Sequence, residues 1–314
     1  MPAIQLSVII PIYNEALNIP TLYKRLKRVM LSLQLSHELI FVNDCSRDES
    51  LELIRDLNCT DPAVKFIDFS RNFGHQLAVT AGLAYSSGDA VAIIDADLQD
   101  PPELIADLYK KMNEGFEVVY AKRKSRKDKS VLKKAAYKTF YRLLARISQI
   151  DIPLDTGDFR ILKRCVVKQL NQMPEQHKFL RGQIAWLGFK QSFIEYDREA
   201  RAAGEPGYSY RKLFRLALDG ITSFSNMPLR VATLMGFVVF FISLILMVYT
   251  LVSFLFFHDS TPRGWSSIMI SVLFIGGIQL LSIGIIGEYI SRILSDVRKR
   301  PLFVVRETNL SEPE

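Results

Sequence analysis

The sequence predicts an α/β domain on a mostly parallel sheet, followed by an amphipathic juxtamembrane helix and two transmembrane helices. Three observations predict it. Short apolar runs rich in β-branched residues, at 6–12, 38–43, 64–69, 90–95 and 117–121, alternate with longer helical patterns at 15–33, 48–57, 74–87 and 102–114. Such repeated βα units build a parallel sheet with helices on both faces. Second, polar clusters follow the strands: Asn14 and Glu15 the first, Asp44 the second, Arg71 and Asn72 the third, and Asp95, Asp97 and Gln99 the fourth. Ligands of open parallel sheets bind at those carboxyl ends. Third, residues 231–257 and 264–287 are runs of 27 and 24 residues without a charge, each longer than the roughly 20 apolar residues a spanning helix needs.

The expected organisation is an α/β domain at 1–208, an amphipathic helix at 209–230, spans at 231–257 and 264–290, and a tail at 291–314. In the amphipathic segment Leu213, Leu216, Ala217, Ile221 and Phe224 recur at helical spacing, with Arg211, Lys212, Arg215 and Asp219 elsewhere on the wheel. Such a helix lies in a headgroup layer or packs on the soluble domain. Basic residues flank the spans on the chain-end sides (Arg211, Lys212, Arg215 and Arg230 before; Arg292, Arg298, Lys299, Arg300 and Arg306 after), and the connector holds only Arg263. Basic residues stay inside, so both termini and the α/β domain are expected in the cytoplasm. Gly276, Gly277, Gly284 and Gly287 include a small-x-x-small spacing that permits close helix packing and an oligomer contact.

Of 314 residues 49% are hydrophobic, and the formal net charge of +7 favours anionic partners. Cys45, Cys59 and Cys165 are scattered, without a C-x-x-C, so neither a disulfide framework nor a zinc site is expected. The four histidines lack metal-ligand spacing. The start MPAIQLSVIIPIYNE has no basic region ahead of an apolar one, so residues 6–12 read as a buried strand and not as a secretion signal. Neither G-x-G-x-x-G after the first strand nor G-x-x-x-x-G-K-[ST] occurs, which argues against a dinucleotide oxidoreductase and a P-loop NTPase. No helix-turn-helix, zinc or aromatic RNA-binding signature accompanies the basic residues, so no nucleic-acid partner is expected.

The most informative stretch is Ala92-Ile-Ile-Asp95-Ala-Asp97-Leu-Gln99-Asp100-Pro-Pro-Glu103. An uncharged strand ends in two carboxylates two residues apart, and in extended geometry such side chains point the same way. Asp95 and Asp97, with the Gln99 carbonyl, make a hard-oxygen site for Mg²⁺ or Mn²⁺ shared with substrate phosphates. Pro101 and Pro102 stop the loop and open the next helix.

Five ordered motifs now carry a resemblance: Pro11-Ile-Tyr13-Asn14-Glu15, Val42-Asn43-Asp44-Cys45-Ser46-Arg47-Asp48, the acidic stretch, Asp155-Thr-Gly157-Asp158-Phe159-Arg160, and Arg201-Ala-Ala-Gly204-Glu205. They resemble the inverting family 2 glycosyltransferases of GT-A (Rossmann-like) fold, specifically the polyprenyl-phosphate branch. The apolar hairpin and the tail Glu288-Tyr289-Ile290 … Arg300-Pro301 look most like the bactoprenol glucosyltransferases. The resemblance implies transfer of a hexose from a nucleotide sugar, UDP-glucose first, to a polyprenyl phosphate such as undecaprenyl phosphate at a bacterial plasma membrane. It implies that Pro11, Tyr13, Glu15 and Asp44 hold base and ribose, that Asp95 sits by ribose and diphosphate, and that Asp97 and Gln99 take the metal. Asp158 would lie beside the transferred sugar, so Asp97 and Asp158 are the catalytic candidates. GDP-mannose, UDP-N-acetylglucosamine or a UDP-aminoarabinose derivative would use the same machinery, and a non-catalytic nucleotide-sugar or lipid-sugar binding membrane protein is the rival from another class.

Two departures stand out. Cys45 replaces a glycine common in the second motif, which predicts a differently shaped loop because glycine reaches positive φ easily. Pro206-Gly207 replaces Ser-Lys, which shifts phosphate binding toward Arg201. The segment 122–134, KRKSRKDKSVLKK, is basic at eight of thirteen positions. At about 1 kcal/mol per basic residue near an anionic surface, it is expected to meet membrane lipid. Arg123, Arg126 and Lys129 are the candidates for the acceptor phosphate, since guanidinium grips phosphate in a bidentate way.

Overall fold

The computed structural model describes residues 4–124, 156–197 and 264–311, together with 229, 232–239, 241, 242, 244, 245 and 248. Arg126, Lys129, Arg201, Asp155, the 201–205 motif and most of the expected amphipathic helix lie outside the described residues. The chain divides into two compact units, one holding the sheet and the tail, the other the apolar helical region.

The sheet unit opens with alternating strands and helices: β1 (Leu6–Ile12), α1 (Ile19–Leu33), β2 (His37–Asn43), α2 (Ser50–Thr60), β3 (Val64–Phe69), α3 (His75–Tyr85), β4 (Ala90–Ile93), α4 (Leu104–Asn113) and β5 (Val118–Arg123). It continues with β6 (Thr156–Lys163), α5 (Arg164–Gln172), α6 (Leu180–Trp186) and β7 (Gln191–Tyr196), and closes with β8 (Val305–Thr308). The spatial order is β7-β5-β6-β4-β1-β2-β3-β8. Strands β3, β2, β1 and β4 are parallel neighbours, β6 runs antiparallel between β4 and β5, and β8 runs antiparallel to β3. The expected mostly parallel sheet is therefore present, with two reversed strands the sequence pattern does not announce.

Helices cover both faces, which is why the central strands read as unbroken apolar runs. In β1, Leu6, Val8, Ile10 and Ile12 point to one core with Leu22 and Leu26 of α1, Ile54 of α2 and Leu108 of α4. Ile9 points to the other, with Ala78 and Val79 of α3, Val166 and Leu170 of α5, and Ile184 of α6. Alternation of period two thus sorts one strand between two cores.

Two boundaries differ from expectation for physical reasons. α1 begins at Ile19 and not near 15, because Pro20 fits only the first helical turn. β4 ends at Ile93, so Asp95 and Asp97 lie on a turn and not on an extended strand. Leu98 takes φ 58 there, a left-handed kink that an extended chain lacks.

α3 lies close on β1. A Cβ at Gly82 would meet Ile9 Cγ2 at 2.3 Å and Ile9 Cγ1 at 3.1 Å. Alanine gains up to about 1 kcal/mol of helix propensity, but overpacking a β-branched core residue costs about 1–3 kcal/mol. Gly82→Ala is expected to lower stability by roughly 1–2 kcal/mol, read as a lower Tm. An unchanged or higher Tm would show that α3 can move off the sheet freely.

In the second unit α7 (Trp265–Arg298) runs 34 residues, past the expected end at 290 and into the basic flank. Its segment Phe274–Arg298 is long and apolar enough to cross a membrane, and none of its apolar window is buried within the chain. Phe274, Leu280, Leu281, Ile283 and Ile290 are exposed, the reverse of a soluble core helix. Residues 232–239 of the first apolar run are helical. Among the described residues one helix meets the length and apolarity needed to span, so the two-span hairpin is not established here.

Candidate active site

The pairing of β4 with β6 gathers the site. Ala90 faces Lys163 and Ile93 faces Arg160. Asp95 and Asp158 lie two residues beyond that pair on their two chain segments and meet at one side chain. Two carboxylates at one place repel, and a cation is found between them. His75 Nε2 lies 3.7 Å from Asp95 Oδ1 and 3.4 Å from Asp158 Oδ2.

His75 gets there through the loop after β3. Asp44, just past β2 and nearly buried, accepts the backbone N–H groups of Phe73 (2.6 Å) and Gly74 (2.8 Å). Gly74 has φ 100, a conformation that favours glycine, and α3 starts at the next residue. Burial raises the Asp44 carboxyl, against the pull of those two N–H groups and of His75 and Arg71.

Asp158 is held by cations. Its Oδ1 accepts from Arg160 Nη2 (2.6 Å) and from Arg181 Nε (3.1 Å). Arg160 is itself buried, with its guanidinium 5.5 Å from the Tyr120 ring centroid and its Nε donating to the Asp158 carbonyl at 3.0 Å. Burial pushes the Asp158 carboxyl up, but Arg181, His75 and Arg160 outweigh it and hold it well below the usual carboxylate range. Asp95 goes the other way: burial lifts it to about 6, opposed by His75 and reinforced by Asp158, Asp100 and Asp97. Burial pulls the His75 imidazolium down, but the hydrogen bond it donates to Asp158 and the charges of Asp95 and Asp158 raise it to about 9. The cluster at neutral pH is two carboxylates, two guanidiniums and an imidazolium, with Arg181 31% and His75 41% exposed.

The acidic turn sits beside it. Asp97 Oδ1 accepts the Gln99 N–H at 3.1 Å, which closes the turn. Asp100 is wholly buried beneath, accepting the Tyr196 hydroxyl, with Arg123 Nη2 3.5 Å from its other oxygen. Asp95 Oδ1 is buried and, beyond the 3.7 Å approach of His75, accepts no hydrogen bond among the described residues. An orphaned carboxylate oxygen is costly unless something else uses it. Among the described residues no group of three His, Cys, Asp or Glu is arranged as a metal cage. The under-partnered Asp95 oxygen, with hard oxygens on Asp97 and Gln99 close by in sequence, is a donor set of the chemistry a divalent cation would take if phosphate oxygens and water completed its shell.

The remaining sequence candidates are placed as follows. Pro11 is buried in β1 opposite Val42. Tyr13 is 45% exposed. Glu15 accepts from Asn18 Nδ2 at 2.5 Å and donates its N–H to Ser50 Oγ. The loops after β1 and β2 are laced by Asn14 N–H to Ser46 Oγ (3.0 Å) and Arg47 N–H to Asn14 Oδ1 (2.8 Å). Cys45 adopts φ 56. Cysteine therefore reaches the left-handed region despite its Cβ, and the differently shaped loop expected from the lost glycine is not needed. Arg123 faces Asp100 and the Tyr196 hydroxyl and is 19% exposed. Lys122 pairs with Glu195 at 3.1 Å and Lys124 with Asp197 at 3.7 Å.

Sequence reasoning gave His75, Arg160 and Arg181 no role. His75 carried a usable signal, because it follows the third strand closely, at the end of the sheet where ligands bind. Arg160 stood within a quoted motif. Arg181 carried no signal, since it reaches the site only through the packing of α6.

The family described as Glycosyl transferase family 2 matches residues 7–170, and the GtrB C-terminal hairpin matches residues 227–293. An uncharacterized glycosyltransferase, YkcC, of Bacillus subtilis (strain 168) is 48% identical, over 97% of this chain and 94% of the relative. The SfII prophage-derived bactoprenol glucosyl transferase of Shigella flexneri is 39% identical, over 98% of this chain and all of the relative. Among solved structures, glucosyl-3-phosphoglycerate synthase from Mycobacterium tuberculosis in complex with uridine diphosphate aligns with TM-score 0.48 at 17% identity, covering 70% of this chain and 79% of that one.

Proposed function

This chain belongs to glycosyl transferase family 2 and is a glycosyltransferase of GT-A type, and from that premise we propose that it transfers a hexose, glucose from UDP-glucose first, to a polyprenyl phosphate at the cytoplasmic face of a membrane. The observation that carries the reading is the set of cations and carboxylates at the β4–β6 end of the sheet, beside the acidic turn. Full-length similarity to a protein named as a bactoprenol glucosyl transferase supports the acceptor and the sugar.

Asp95, Asp97 and Gln99 would hold Mg²⁺ or Mn²⁺. Bound there, a divalent cation would screen the donor diphosphate and stabilise the departing nucleoside diphosphate. Arg181 and His75 add positive charge on the open side of the cluster, where donor and acceptor phosphates both bring negative charge. Asp158 anchors both and keeps Arg160 compensated. A carboxyl held so low is a poor base. None is required, because a phosphate monoester with its second pKa near 6 is largely dianionic at neutral pH and attacks the anomeric carbon directly. Attack from the face opposite the diphosphate inverts the configuration. Pro11, Tyr13, Glu15 and Asp44 would line the nucleotide end, and Arg126, Lys129 and Arg201 would meet the lipid phosphate, while Arg123, turned inward to Asp100, would brace the acidic turn instead.

The exposed apolar surface of α7 supports an integral membrane anchor. With the uncharged run at 231–257, it makes a two-span hairpin with both termini cytoplasmic, and the glycine spacing of the second span serves a homo-oligomer contact. Purified full-length protein, undecaprenyl phosphate, Mn²⁺ and a panel of nucleotide sugars are expected to yield a lipid heavier by one hexose. Chelation should abolish the product and added Mn²⁺ restore it. Donor binding without turnover, or full turnover in chelator, would contradict the reading.

A further inference from the structure

The chain beyond α7 returns to the sheet. β8 pairs antiparallel with β3, Ile67 facing Thr308 and Asp68 facing Glu307, but Phe69 faces Val305. The register slips by one and leaves Arg306 as the extra residue of a bulge. Bulges re-aim side chains, and this one sends Arg306 to the carboxyl end of β3. Its Nη2 donates to the Ser70 carbonyl at 2.8 Å, and its Nη1 lies 3.6 Å from Asp68 Oδ2.

Asp68 is 1% exposed, and its Oδ2 makes no hydrogen bond among the described residues. A buried carboxylate needs a partner. Asp68 Oδ1 accepts Asn43 Nδ2 at 2.7 Å, Asn43 Oδ1 accepts the Ser46 N–H at 3.3 Å, and Ser46 Oγ accepts the Asn14 N–H at 3.0 Å. One path thus runs from the tail into the loops after β2 and β1. A second runs through rings: Phe303 stacks on Phe69 at 5.3 Å, Phe69 meets Phe73 edge-on at 5.5 Å, and the Phe73 N–H binds Asp44. The Ser70 N–H to Val304 carbonyl bond (3.0 Å) ties the two strands between them.

We propose that Arg306 is a positioning residue for the donor nucleotide, holding the loops at 43–46 and 70–74 in place from behind through Asp68, Asn43 and Ser70. This rests on the reading of Tyr13 and Asp44 as nucleotide-binding. The tail following the membrane helix is thereby a brace behind the loops of the donor site.

Full-length Arg306→Ala, Arg306→Lys, Glu307→Ala and Tyr13→Ala test it by steady-state kinetics, Tm and titration with uridine diphosphate and Mn²⁺. Arg306→Ala is expected to raise donor KM about tenfold, the usual scale for an orienting partner, with acceptor KM unchanged. Arg306→Lys should recover most of the loss. Glu307→Ala, which removes only the surface pair with Arg55, should leave donor KM unchanged. An unchanged donor KM in Arg306→Ala overturns the proposal, and so does a fall in Tm with both KM values rising together. If Arg306→Ala does not fold, Arg306→Gln and Arg306→Lys decide together: a raised donor KM in Gln that Lys restores, with acceptor KM unchanged, supports the proposal, and an unchanged donor KM in Gln or both KM values rising in step overturns it. Tyr13→Ala separates the two readings. An unchanged donor KM there overturns the nucleotide assignment of these loops, whereas a raised one beside an unaffected Arg306→Ala overturns the tail's role alone.

Discussion

Asp97→Ala is expected to lower kcat/KM by on the order of 10³-fold at saturating Mn²⁺, several kcal/mol of lost charge stabilisation. The turn it sits on is braced elsewhere. Asp100 is anchored below by Tyr196 and Arg123, and Leu98 is packed in the core. The variant should therefore fold, with a modest fall in Tm that includes the loss of the Gln99 N–H acceptor, about 1 kcal/mol of stability. Asp97→Asn keeps that acceptor and removes the charge, so it should match wild type in Tm and the alanine variant in activity. Near-normal turnover in either variant would remove Asp97 from the metal site.

Asp158 gives the second large effect, divided between activity and stability. In Asp158→Asn the amide oxygen still accepts from Arg160 and Arg181, and a loss near tenfold in kcat is expected. A loss of about 10³-fold or more would mean the carboxylate removes a proton in the reaction. Asp158→Ala strips the buried Arg160 of its counter-charge, which costs about 3–5 kcal/mol and should appear as a large fall in Tm. The pH dependence follows from direction. The Asp158 carboxyl is depressed, so its contribution to stability is complete above the usual carboxylate range and is lost as pH falls through its folded value. His75 is raised, so its contribution is complete below its ordinary value and is lost as pH rises through about 9. The wild-type profile should fall on the basic side near 9, and Asp158→Asn, which loses one of the charges holding the proton on His75, should move that fall to lower pH.

The first half of the fold was legible because β1 to β4 are covered on both faces and most of their buried positions are apolar, with Ser7, Glu38, Asn43 and Asp68 as the exceptions. β6 was hidden by its own chemistry, since Asp158 and Arg160 interrupt an apolar pattern to serve the site. β7 and β8 are edge strands, Q-S-F-I-E-Y and V-R-E-T, whose solvent faces carry charge and lack a buried run. The site divides along the same line. Asp95, Asp97 and Gln99 are neighbours in sequence, so their grouping needs no knowledge of the fold. His75 and Arg181 join Asp158 only through strand register and the docking of α3 and α6, which are long-range facts. Arg123 stood in a basic run that pointed outward to lipid, but its guanidinium turns inward to a carboxylate buried beneath the acidic turn.

The most direct measurement is a crystal structure of the full-length protein with Mn²⁺ and uridine diphosphate, with the ion located by its anomalous scattering. The ion should lie about 2.1 Å from an Asp97 carboxylate oxygen and from diphosphate oxygens, with Asp95 and Gln99 beside it. Diphosphate bound with no ion at that turn, or an ion held elsewhere in the cleft, would contradict the account.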